Sequence, residues 1–520
     1  MEKLTDPQWA RIGLRPHHGI ALPLFSLRSK TSCGIGEFLD LIPLIDWCKK
    51  AGLDVLQLLP LNHSEEEPSP YSCISSCALN ASYLSLHALP LLDRYPELKQ
   101  TLPGLRLLDQ TDRVNHAEVA RYKIDWLKTY AQKAGKQILE EPAAQTFIAS
   151  NPWLKPYALF RALKAEQKGA PWHLWPPELI YPTPAQREQL YTPHEKEISF
   201  HCLVQYLCFL QLKTVKEHAH TTGVFLMGDI PILMNTESAD VWEHVEYFDL
   251  NLTAGAPPDP YNSEGQNWGF PLFNWNALRK DHMNWWKQRL LYAESFFDLF
   301  RIDHVLGFFR FFAIPPHHSA KEGHYVPDED ATCEAQGVEL LSCIASATQM
   351  LPIAEDLGTP LPCVKPTLEN LGICGTKVMR WEREWGKTKR YTPPRDYPPL
   401  SLTCVSTHDS ETLALWWKLY PEDARVFAKE KGWEYDGHLS STEREHILRE
   451  SHHSGSLFHI NLLQEYLAYF PELVHSDPED ERINIPGTFS PKNWSHRCVS
   501  SVEEIASHPG LLALMHRVLR

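Results

Sequence analysis

Seven short, apolar, β-rich runs recur along the chain, each ending in a polar or small residue. They are HGIALPLFSL (18–27), DVLQLLPLN (54–62), GVFLMGDIPIL (223–233), FDLFRIDH (297–304), MLPIAEDLG (350–358), TKVMRWE (376–382) and LTCVSTHD (402–409). Runs of this kind, separated by helical stretches, predict parallel strands buried on both faces. Between the first two, EFLDLIPLIDWCKKAG sets Phe38, Leu41, Ile42, Ile45 and Cys48 at helical spacing, with Gly52 as the stop. Pro43 predicts an early kink or a delayed start. Strand, helix, strand is the βαβ unit.

Seven such strands, with an eighth in the last hundred residues, predict an α/β chain folded as a (β/α)8 barrel. The end of the eighth strand is expected near RINIPGTF (482–489). The interval 63–222 offers helix-like segments (114–136, 155–169, 198–217) and no new strand signal, so it reads as a large, mainly helical insertion after the second strand. With no repeat and no linker-like tract, residues 1–520 read as a single catalytic barrel domain containing that insertion.

A net charge of −15 argues against nucleic acid or an anionic membrane as partner, because both demand clustered Lys and Arg. The start, MEKLTDPQWARIGL, lacks a basic segment followed by an apolar core, so no secretory signal is expected. No uninterrupted apolar run is long enough to span a bilayer. Twelve Cys are scattered without CxxC pairs, which predicts reduced thiols and a cytoplasmic setting. Cys73, Cys77 and His63 can be drawn as a metal cluster, but a fourth ligand at sensible spacing is absent. The 17 Trp, 19 Tyr and 21 Phe suit the apolar faces of sugars as well as an ordinary core.

In such barrels the active site is built at the C-terminal ends of the strands. Those ends carry Asp229, Asp303 with His304, Glu355 with Asp356, and His408 with Asp409. Two chemistries use such a ring. Metal-assisted hydrolysis needs convergent ligands, yet His17 and His18 are adjacent on a strand and face opposite ways. Glycosidic bond cleavage needs one carboxylate as nucleophile and one carboxylic acid as proton donor. Arg301 and Asp303, two apart on a strand, face the same way, and the guanidinium would keep Asp303 ionised. Glu355 would supply the proton if burial raises its pKa. A plain structural ion pair explains Arg301 and Asp303 equally well.

RIDH (301–304), AEDLG (354–358) and STHD (406–409) closely resemble the three catalytic segments of the 4-α-glucanotransferases, the amylomaltase or disproportionating-enzyme family, glycoside hydrolase family 77. The resemblance takes in SPYS (69–72), GDIPI (228–232), GAPPDPYNSEGQNWGFPLFNW (255–275) and NIPGTFSPKNW (484–494), and so covers nearly the whole chain. The wording of 255–275 and of RIDHVLGFFR is especially similar to the plant cytosolic disproportionating-enzyme branch. That branch usually adds starch-binding modules before the barrel and a long insertion between nucleophile and acid. Here only 52 positions separate Asp303 from Glu355.

The resemblance implies Asp303 as nucleophile, Glu355 as acid and base, and Asp409 as the group that binds and stabilises the distorted sugar. Arg301, His304, His408, Tyr71, Trp268 and Asp229 are implied as substrate-binding residues, with Tyr71 and Trp268 as stacking platforms. The implied reaction moves a segment of an α-1,4-glucan to the 4-hydroxyl of glucose or another α-glucan. It retains configuration by double displacement through a β-glycosyl-Asp303 intermediate, with neither metal nor organic cofactor. Maltooligosaccharides and glucose are the implied partners, in storage-glucan or maltodextrin turnover. The 255–275 loop would cover the acceptor subsites. An α-glucan hydrolase on the same barrel and a glucan-binding protein without chemistry are the alternatives; the second would be expected to lack one of the three acids.

Overall fold

Each of the seven apolar runs contains a parallel strand. The computed structural model describes residues 2–64, 68–258, 263–384 and 388–520. The strands are β1 (His17–Leu22), β2 (Val55–Leu58), β3 (Phe225–Ile230), β4 (Leu299–Ile302), β5 (Leu351–Ala354), β6 (Gly375–Val378) and β7 (Ser401–Cys404), and the eighth is β8 (Phe458–Leu462). Neighbours in sequence are neighbours in space, and β8 returns to pair with β1. Between β5 and β6 the ring closes through a bridge of Ile353 to Cys374, where the Ala354 N–H donates to the Cys374 carbonyl at 2.7 Å. The Asp356 carboxylate reinforces this seam by accepting from the Thr376 N–H at 2.8 Å. The result is a (β/α)8 barrel.

The eighth strand lies some twenty residues earlier than expected, and 482–489 forms no strand. Its sequence, FHINL, alternates instead of running apolar. Ile460 and Leu462 reach the barrel mouth, while His459 and Asn461 are buried on the other face. Asn461 is satisfied there, accepting from the Val405 N–H (2.9 Å) and donating to Ser451 and the Tyr466 hydroxyl (2.9 Å each). A buried amide with all its bonds made carries no desolvation penalty that would bar it from a strand.

The first crossover helix, α1 (Leu41–Ala51), starts after a 3₁₀ turn at Phe38–Asp40, so Pro43 sits in its first turn, where a missing N–H costs nothing. It stops at Gly52, whose φ of +85° is the left-handed cap that a side chain would strain. At Gly19, a β-carbon would come within 2.5 Å of the Val55 carbonyl oxygen, so the close approach of β1 and β2 depends on glycine.

Between β2 and β3 the described chain is helical, including α2 (His116–Tyr130), α3 (Leu154–Glu166) and α4 (Glu195–Thr222). By length and composition α4 could cross a membrane, but 61% of its apolar window is buried against protein. It packs on α1 and α3, so its apolarity serves the core. Two of its amides, Gln205 and Gln211, each accept from and donate to the backbone of Leu79 and Ser85, respectively, at 2.8 and 2.9 Å. Lys123 of α2 is fully buried against Glu37 of the β1 side (2.6 Å) and also donates to the carbonyls of Ser82 and Leu84.

The segment 255–275, read as a covering loop, is largely strand. Phe248–Ala256 and Gln266–Phe273 pair antiparallel, and Phe311–Ile314 and His324–Val326 extend them to a four-stranded sheet beside the barrel mouth. Residues 259–262 of that segment lie outside the described residues.

Candidate active site

A cleft of about 1120 Å³ opens at the C-terminal end of the barrel. Arg301, the third residue of β4, anchors it. One of its terminal nitrogens, Nη1, donates to Asp229 at the end of β3 (2.9 and 3.0 Å) and to Asp303 just past β4 (3.0 Å). Its Nη2 lies 3.8 Å from Glu355, just past β5. Three carboxylates from three adjacent strands therefore share one guanidinium. Burial alone would depress the Arg301 pKa, but these neighbours raise it well above its ordinary value.

Glu355 is mostly buried, and burial pushes its carboxyl up to about 8; the Asp303 charge adds to this while Arg301 opposes it. At neutral pH it therefore holds a proton. Its position is fixed by two backbone donors, the N–H of His304 (2.8 Å) and that of Leu357 (3.1 Å). His304 itself adopts a left-handed conformation, φ +42°, which costs a non-glycine residue about 1–3 kcal/mol, so the backbone is strained at the turn that holds the acid. Burial also lowers the His304 pKa, so its imidazole is neutral at pH 7.

Asp409, beyond β7, is 42% exposed to the cleft. Desolvation works against its charge, but the adjoining His408 (3.3 Å) and the Asn484 amide (2.7 Å) outweigh it and hold the carboxyl down at about 2. Tyr71 stacks on the His408 ring (centroids 5.3 Å, planes 16° apart), and Trp494 leans on both. The Tyr71 hydroxyl donates to Asp229 at 2.8 Å. Trp268, on the strand Gln266–Phe273, meets the His304 ring edge-on at 4.9 Å.

Asp303, Glu355, Asp409, Arg301, His304, His408, Tyr71 and Trp268 thus converge on one cleft. Asp229 is the exception. Its side chain is fully buried beneath Arg301 and Tyr71 and does not line the cleft, so it orients those two residues and does not meet a substrate directly. Three further residues, all between 482 and 494 or at its ends, escaped the reading of the sequence: Asn484 on Asp409, Trp494 beside Tyr71, and Phe489, wholly exposed on the rim. The motif NIPGTFSPKNW was visible, but an irregular loop has no periodicity that tells which side chains turn inward. His63, Cys73 and Cys77 form no ligand set among the described residues; His63 is 2.7 Å from the Tyr157 hydroxyl.

An acidic residue that is protonated at neutral pH, beside a carboxylate fixed by arginine at the mouth of a (β/α)8 barrel, defines a barrel enzyme equipped for glycosyl chemistry. The family model described as 4-alpha-glucanotransferase matches residues 22–501. The chain belongs to the 4-alpha-glucanotransferase family. It is 45% identical over 513 residues to a 4-alpha-glucanotransferase of Chlamydia pneumoniae, covering 98% of this chain and 97% of that one. It is 35% identical over 310 residues to one from rice, Oryza sativa subsp. japonica, covering 58% of this chain and 32% of that one. Among solved structures, the amylomaltase of Streptococcus agalactiae in complex with acarbose superposes with a TM-score of 0.82 at 23% identity, covering 97% of this chain and 98% of that chain. That likeness carries the barrel fold.

Proposed function

We propose that this enzyme transfers segments of α-1,4-glucan to the 4-hydroxyl of glucose or of another α-glucan, with maltooligosaccharides as donors and acceptors. Asp303 attacks the anomeric carbon of the donor and the bond to the leaving sugar breaks, giving a β-glycosyl ester. Glu355 donates its proton to the departing oxygen. In the second half, Glu355 takes the proton of the acceptor hydroxyl, whose oxygen displaces Asp303. Two inversions return the α configuration. Asp409, ionised at any working pH, binds hydroxyls of the reacting sugar and favours its cationic transition state. Arg301 orients Asp303 through the bond at 3.0 Å, and Tyr71 with its stacked His408 offers a flat face to the ring.

The observation that carries this reading is the unequal setting of two neighbouring acids. Glu355 is buried, and burial pushes its carboxyl up to about 8, while Asp303 is more exposed and accepts a hydrogen bond from Arg301 at 3.0 Å. The hairpin bearing Trp268 supports transfer over hydrolysis, since an aromatic face at the cleft mouth favours a sugar over water as acceptor. A cytoplasmic setting is part of the proposal, supported by twelve cysteines that are all unpaired.

Incubation with maltotriose tests it. The expected products are glucose and a ladder of longer maltooligosaccharides, with total reducing ends unchanged. A rise in reducing ends that matches glucose release would make the chain a hydrolase instead.

A further inference from the structure

Beyond β8 the chain runs out along the rim and back, and this excursion carries Asn484 and Trp494 into the cleft. Away from the cleft it brings His475, Glu481 and His496 together, with one ligand-type atom from each lying within 4.8 Å of the others. Among the described residues this is the group of His, Cys, Asp and Glu side chains so arranged. None of the three lines the cleft. Glu481 and His496 are buried, the latter with only 1% of its surface exposed, and His475 is half-buried.

One pair in the group already has the spacing of two ligands on one ion. Glu481 Oε2 and His496 Nε2 are 3.3 Å apart, as two donors are when each binds a tetrahedral zinc ion at about 2.0–2.1 Å. The His475 Nε2 is 2.9 Å from the Arg497 carbonyl. An N–H there fixes the tautomer and leaves Nδ1 as the ligating atom, the outer-shell pattern typical of metal-bound histidine. The remaining oxygen of Glu481, Oε1, accepts from the His475 backbone N–H at 2.8 Å, which steadies the carboxylate. Gln464, on the turn after β8, turns its amide nitrogen towards the group, donating to the Glu481 carbonyl and lying 3.0 Å from Glu481 Oε2 and 3.1 Å from His496 Nε2. His496 Nδ1 is buried and unpartnered. Half-exposed His475 gives an ion its way in.

We propose that His475, Glu481 and His496 form a structural site for a divalent ion of the zinc class, which ties the excursion after β8 to itself and so holds Asn484 and Trp494 in register with Asp409 and Tyr71. The donor set of two imidazoles and a carboxylate suits zinc better than magnesium or calcium, which prefer oxygen alone.

The test uses the full chain, stripped with chelator and titrated with Zn²⁺ by equilibrium dialysis, with the melting temperature followed in parallel. A single retained equivalent and a raised melting temperature are expected. Co²⁺ in place of Zn²⁺ should give the visible bands of a four-coordinate nitrogen–oxygen site without thiolate charge transfer. His475→Ala, at the partly exposed ligand, should weaken Zn²⁺ binding by at least about tenfold. Asp303→Asn should leave it unchanged, which separates this site from the cleft and its chemistry. The proposal is overturned if the stripped wild-type chain takes up no Zn²⁺ and shows no Co²⁺ bands, or if His475→Ala retains the ion as well as wild type. The three groups would then make only the Glu481–His496 ion pair.

Discussion

At the N-terminal end of the barrel, acids stand one residue before the strands, and each meets its own basic partners. Asp54, before β2, meets His17 and Arg15 (2.8 Å each) and accepts from the His18 N–H. Asp298, before β4, meets Lys216 (2.5 Å) and Arg11 (3.3 Å) and accepts from the Leu226 N–H. At the C-terminal end the ratio is reversed: Asp229, Asp303 and Glu355 crowd around the single Arg301. One end spends its charges on holding strands in place. The other leaves more acid than base, so that one carboxyl must keep its proton at neutral pH. An excess of like charge that folding does not relieve marks the end where chemistry is done.

The contrast breaks most sharply at the nucleophile. Asp303→Asn should lower kcat by about 10⁴-fold or more in the maltotriose assay while leaving the melting temperature close to wild type. Glu355→Gln should cost about 10²–10⁴-fold. It should recover much of that first-step loss with a glycosyl fluoride donor, whose leaving group needs no proton. The same residue sets a pH limit. Its native pKa lies above the ordinary carboxyl value, so the proton is present at neutral pH and is lost as the pH rises through about 8. The kcat/KM profile should fall on that side, and the limb should vanish in Glu355→Gln.

At the opposite end, Asp298→Ala should behave the other way round. It should lose roughly 3–5 kcal/mol of stability, read from the urea midpoint, because Lys216 is left buried without its partner. Activity below the transition should be intact. The smallest effect is expected at Trp268→Ala, a several-fold rise in hydrolysis relative to transfer, seen as reducing ends gained per glucose released. An unchanged ratio would remove the hairpin from acceptor selection.

Much of this asymmetry is legible in the sequence, for one physical reason. Strands buried on both faces must be apolar along their length, so a charge at the end of such a run marks where the barrel stops and the rim begins. That logic places β1 to β7 and brings Asp303, Glu355 and Asp409 to one end. It fails at β8, where the outward face of the strand buries His459 and Asn461 among specific partners. It fails again at the hairpin bearing Trp268, whose Gly, Pro and Asn residues read as loop. Contacts such as Asn484 with Asp409 and Arg301 with Asp229 join residues more than 70 positions apart. No local pattern encodes them.

The shared guanidinium has a consequence in time as well as in space. When Asp303 becomes a glycosyl ester on the proposed pathway, it loses its negative charge. One of the influences that keeps Glu355 protonated then disappears, and Arg301 turns its full attraction on the remaining acids. Glu355, having just given up its proton, becomes less eager to regain one from solvent and readier to wait as a base for the next sugar hydroxyl. Release of Asp303 restores the charge and with it the original acidity. The reaction thus sets its own clock: the state of one carboxyl tells the other which half of the cycle it is in.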